Sequence, residues 1–157
     1  MRPRRFQISH SLIGVAGLLV AEALLVFVVP PIAGAMILLG AIAGGIGIVV
    51  IATDVIEEVR RSQAMLILLF MTVTVIEFLI FFSFQYYFLL HTDPNSFPGL
   101  LQDPVSLLLQ STMVFALNPL YLPQSLAGKT LLLINTLESL ILALFVLQNI
   151  WQLHRER

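Results

Sequence analysis

Three glutamates, Glu22, Glu77 and Glu138, stand in apolar runs that contain no lysine or arginine. A carboxyl so placed has two readings. As a functional group it binds or passes a proton or a cation. As a structural one it is a neutral acid bonded to a neighbouring helix or to a backbone carbonyl. Glu22 and Glu138 fall at similar depths, about 10–12 Å inside the outer ends of their segments at ~1.5 Å per residue, so they could pair. The remaining reactive residues offer less. His10, His91 and His154 stand near segment boundaries and far apart, as headgroup contacts do, and make no metal site. The chain has no cysteine, which removes disulfides, thiolate metal ligands and thiol nucleophiles. There is no serine nucleophile elbow, phosphate-binding loop or HExxH pair, so the sequence argues against an enzyme and calls for no cofactor.

The elements that must hold these groups are membrane helices. The 157 residues are 59% hydrophobic and 11% charged, with mean hydropathy +0.98. A soluble domain carries roughly 25% charged residues, and this chain has too few to cover a water-facing surface. The expected fold is an all-α integral membrane protein. The first apolar segment runs from about Ser11 to Val29 and is broken by Pro30-Pro31. Arg2, Arg4 and Arg5 before it, with Ala21-Glu22-Ala23 inside it, imitate a secretory signal, but the run is longer than a signal core and reads as a retained helix. The second, about Ile32 to Ala52, is rich in small residues, from Gly34 through Gly40, Gly44 and Gly45 to Gly47. Small residues let membrane helices approach closely, so this helix is expected to pack against protein. Residues 1–63 form an N-terminal hairpin and a polar loop, Asp54 to Gln63; residues 64–157 form a second unit.

The third segment, about Ala64 to Leu90, ends in an aromatic belt from Phe81 to Phe88. A loop, His91 to Asp103, leads to an apolar run of about 14 residues that is too short to span, and this length suits a re-entrant helix. Asp103-Pro104 is a good start for it, an N-cap acceptor followed by proline at N1. The fourth spanning segment covers about Thr130 to Leu153. With four crossings, Arg2, Arg4, Arg5, Arg60, Arg61, Arg155 and Arg157 all fall on one side, and only Lys129 on the other. The positive-inside rule then puts both termini in the cytoplasm of a multi-pass cell-membrane protein. The first arginine cluster also suits anionic lipid, while a formal net charge of −1 gives no reason to expect nucleic acid.

Helix, external loop, short helix, return and helix is the layout of a pore domain, and the residues resemble one. Bacterial four-helix members of the potassium-channel superfamily carry a D-P-x-S-F loop, a pore helix, a T-x-T-T-V-G-Y-G-D-x-x-P filter and a G-R pair opening the last helix. Asp93-Pro94-Asn95-Ser96-Phe97 resembles the loop, and Thr112 through Pro123 lies on the filter motif without a gap. Gly128-Lys129 lies on the G-R pair, and Ser139 falls where a hinge glycine is frequent. The resemblance implies a homotetramer around a central axis passing monovalent cations, with Glu138 and Asn135 on a pore-lining helix.

The filter departs from that pattern. Phe115-Ala116-Leu117-Asn118-Pro119 replaces T-V-G-Y-G. Potassium filters aim successive carbonyls at the ion. Leu117 resists left-handed dihedrals, and Pro119 fixes its own φ. The expectation is therefore a channel-like protein without potassium selectivity, either weakly selective or a non-conducting scaffold or accessory subunit, with a small proton-coupled carrier as a third reading. Gln110, Ser111 and Thr112 either face a vestibule or bond the carbonyls ending the short helix. Asn118 reads as a turn residue in the left-handed region or as an amide offered to an ion, and Asn135 and Thr136 as helix-packing residues in preference to ion ligands.

Overall fold

A computed structural model describes residues 5–28, 33–59 and 64–155. They form five helices: α1 (Arg5–Val28), α2 (Ala33–Val59), α3 (Ala64–Thr92), α4 (Pro104–Phe115) and α5 (Leu126–Arg155). There is no strand among the described residues. Three helices, α2, α3 and α5, are long and apolar enough to cross a membrane, whereas the apolar stretch of α1, Ile13–Val28, is shorter. The expected Pro30-Pro31 turn and the 60–63 connection lie outside the described residues, as do Arg2, Arg4 and Arg157.

Several boundaries differ from the sequence reading, among them the earlier starts of α1 at Arg5 and of α5 at Leu126. Helix α2 continues past Ala52 through Asp54 to Val59, so most of the expected polar loop is helical. Hydropathy marks where a helix leaves an apolar medium, and the glutamates there are good helix formers that extend it. Helix α4 stops at Phe115, four residues before Pro119.

The small-residue helix shares the centre of the bundle with α3, which contacts all four other helices. Helix α2 packs against α1, α3 and α5, while α4 packs against α3 and α5. Three glycines of α2 each receive one side chain from a different helix. A Cβ at Gly40 would meet the carboxylate of Glu22 from α1, one at Gly44 the ring of Phe81 from α3, and one at Gly45 the carboxylate of Glu138 from α5. Gly40 and Gly45 are five residues apart, about 140° around a helix of 3.6 residues per turn, so α1 and α5 approach different faces. The main core draws on both halves of the chain, with Val26, Ile37, Ile48, Phe78, Phe82, Tyr86 and Leu142 all buried.

Candidate functional site

The segment between α3 and α5 is held by local chemistry. Asp93-Pro94-Asn95-Ser96 closes a turn through Ser96 N–H to the Asp93 carbonyl, 2.9 Å. Phe97-Pro98-Gly99-Leu100 closes a second, and Gly99 sits at φ 84°, as a turn with proline second and glycine third requires. Phe97 is buried, its ring edge-on to Tyr86 with centroids 5.2 Å apart. Helix α4 then starts as expected: the Asp103 carboxylate accepts from the N–H groups of Val105 and Ser106, each at 3.0 Å, with Pro104 following. Bonds from Ser106 first, then Val105, hold the Asp103 carboxyl below its ordinary range.

The filter-like residues fold as a helix end. Ala116 N–H bonds the Thr112 carbonyl at 3.0 Å, Leu117 N–H the Val114 carbonyl at 2.8 Å, and Asn118 N–H the Met113 carbonyl at 2.8 Å. This is a Schellman closure, with the residue after the cap in the left-handed region. That residue is Leu117, at φ 59°, and it overturns the assignment of a left-handed turn to Asn118. The N–H bonding of the closure fixes the position, and the preference of Asn over Leu is too small to move it. Phe115 turns inward toward Phe78, centroids 6.2 Å apart, while Ala116, Leu117 and Asn118 are exposed and Pro119 is half-buried. The exposed Thr112 hydroxyl bonds the Leu108 carbonyl of its own helix at 2.8 Å.

Beyond the cap the chain returns beside α4. Gln110, fully buried, donates from Nε2 to the Tyr121 carbonyl and accepts at Oε1 from the Tyr121 N–H, both at 3.0 Å. It bonds neither the helix's own last carbonyls nor a vestibule. Gln124 N–H then reaches the Ser96 carbonyl at 2.9 Å, joining the two ends of the α3–α5 connection. Ser125 caps α5 through Oγ to the Gly128 N–H, 3.1 Å. Gly128 itself is tightly enclosed, for a Cβ there would stand 2.9 Å from Pro123 Cβ and 3.0 Å from the Ser96 carbonyl oxygen.

The three carboxyls occupy separate places. Glu22 is buried and accepts from Gln85 Nε2 at 2.7 Å, so its bond is to α3 and not to Glu138. Glu138 is buried at Gly45, and its Oε2 has no hydrogen-bond partner. Glu77 is half-buried and lines a cleft between α2 and α3 with Ile48, Ala52, Val55, Phe70 and Thr74. Asn135 donates to the Tyr86 hydroxyl at 3.0 Å and accepts from Ser139 at 3.2 Å, a buried α3–α5 chain. Thr136 bonds its own helix at Leu132. Sequence reasoning missed Gln85 and Tyr86, because the apolar aromatic run gave no sign of which residue on α3 faces a polar partner.

Neither a family model, a curated protein nor a solved structure matches this chain.

Proposed function

We propose that this chain is a channel-like membrane subunit without a potassium filter, whose role is assembly with copies of itself or a partner and not potassium conduction. In this reading α1, α2, α3 and α5 cross the membrane, α4 is re-entrant from the outer side, and both termini are cytoplasmic.

The observation that carries it is the closure of the filter-like segment. A carbonyl ladder needs a backbone that runs along the ion path with successive oxygens aimed at it, and here the N–H groups of Ala116, Leu117 and Asn118 turn back onto the carbonyls of Thr112, Val114 and Met113, so this stretch is coiled as the end of α4. The outer face of α5 agrees with assembly. Leu133, Leu137, Leu140, Leu144 and Leu147 are all exposed and alternate at spacings of four and three. That is the 3.5-residue period of a left-handed helix–helix seam. An axis lined by this stripe would be apolar, and such constrictions gate by dewetting. A re-entrant backbone also favours assembly, since unpaired polar groups are not tolerated against lipid.

The test combines mass and current. Native mass spectrometry of purified protein should show a stable homo-oligomer. Planar bilayers under asymmetric KCl and NaCl should show no potassium-selective current. A reversal potential at the potassium equilibrium value would overturn the reading, as would a stable lone monomer with no partner chain.

A further inference from the structure

We propose that Glu138 and the cleft beside Gly45 bind a small hydrophobic amine as its ammonium ion. The inference goes beyond the assembly reading and does not depend on the filter segment.

Glu138 is 6% exposed, and its Oε2 is shielded from the surface without a donor. Gly45 makes the room for it, since a Cβ there would collide with the carboxylate. Beside the pair lies a cleft of about 140 Å³, lined by Gly45, Ile46, Val49, Val50, Glu138 and Ile141. Glu138 is the one polar side chain in that lining.

The chemistry of the lining selects the occupant. Ordered water needs two to four polar partners, and the lining offers one. A hard metal cation needs several oxygen ligands. Among the described residues no group of three His, Cys, Asp or Glu could hold one. Among the described residues a basic side chain is not at hand either. Helix α2 has no titratable residue between Ala33 and Asp54. Helix α3 brings Glu77, Tyr86, Tyr87 and His91, and α1 brings Arg5 and His10 in its first turns and Glu22, which is bonded to Gln85. On α5 the basic groups are Lys129, His154 and Arg155. Lys129, the nearest in sequence, stands nine residues from Glu138, about 13 Å along the helix. An amine with a hydrocarbon body supplies what is missing, an N–H donor for Oε2 and an apolar surface for Ile46, Val49 and Ile141. Engineered apolar cavities of about 150 Å³ hold benzene, which sets the size of that body.

Binding balances as a single proton transfer. The neutral amine enters from the apolar side, and the carboxyl O–H gives its proton to the amine nitrogen. The resulting ammonium donates back to the carboxylate, and the pair carries no net charge. Release reverses the transfer, so the amine leaves neutral and the proton stays on Glu138.

The experiment uses the full chain in phosphatidylcholine nanodiscs and ¹⁹F NMR of 4-fluorobenzylamine, with 4-fluorobenzyl alcohol as the uncharged control. The parent should bind the amine saturably, and Glu138→Gln should bind it at least tenfold more weakly. The alcohol should not distinguish the two. Val50→Phe, an exposed change that keeps the carboxyl and narrows the cleft, should weaken the amine at least fivefold, and it decides the matter if the Gln variant fails to fold. Equal amine binding in parent and variants, or no saturable binding in the parent, would overturn the proposal.

Discussion

Gln110→Met tests whether one buried amide holds the segment that follows α4. Methionine keeps the length and the apolar stem but removes both bonds to Tyr121. Two neutral hydrogen bonds contribute roughly 1–3 kcal/mol together, and a buried backbone group left without a partner costs about 1–3 kcal/mol. Tyr121 is half-buried, so water recovers part of that loss. The local cost should be about 2–3 kcal/mol, and at ~1.4 kcal/mol per decade the Tyr121 amide should exchange about 30- to 140-fold faster. Amide hydrogen exchange of the purified protein in detergent reads this directly. The N–H groups of Ala116, Leu117 and Asn118 bond carbonyls of α4 and should keep their parent rates, which makes the pattern specific. A Tyr121 amide exchanging within about threefold of the parent would refute the reasoning.

The glycines of α2 should divide sharply: Gly45→Ala drives a methyl into Glu138 and lowers the unfolding temperature, whereas Gly47→Ala meets nothing within 4 Å and should gain about 1 kcal/mol of helix propensity. Leu117→Gly removes a left-handed non-glycine residue costing about 1–2 kcal/mol, partly offset by the freer unfolded chain, so a gain of up to ~1 kcal/mol is expected and Leu117→Val should be destabilising. The Asp103 carboxyl is held low in the folded state, so its contribution to the start of α4 is complete above the unfolded carboxylate pKa and is lost as pH falls through the lower folded value. Acid titration followed by α4 amide exchange should show that loss in the parent and not in Asp103→Asn. For topology, maleimide should label Asn95→Cys on intact cells and miss Ser62→Cys. Position 95 serves because Ser96 is fully buried and would resist the reagent on either side.

The long apolar runs of α2, α3 and α5 were legible from residues alone. The start of α4 at Asp103-Pro104 followed from cap chemistry, because an N-cap is decided by its neighbours in sequence. The close packing of α2 followed from its glycines. The identity of each side chain seated on them did not, because that depends on the rotation of three other helices. Glu22 could have met Glu138 by depth, yet it meets Gln85, a residue hidden in an aromatic run. The end of α4 was also illegible. Asn118 is the better left-handed residue by propensity, but the bonding of Leu117 and Asn118 to Val114 and Met113 sets the closure one residue earlier.

The three occupied glycines of α2 also impose an order of events. Helices α1 and α3 flank α2 in the chain and can fill Gly40 and Gly44 soon after synthesis, but the group that fills Gly45 arrives later, on α5. Until then the Gly45 notch is open to whatever surrounds the nascent bundle. A chain interrupted before Leu126 would have its first four helices but keep that notch empty, a vacancy that quality-control factors or a partner helix in the same bilayer could recognise as an unfinished bundle.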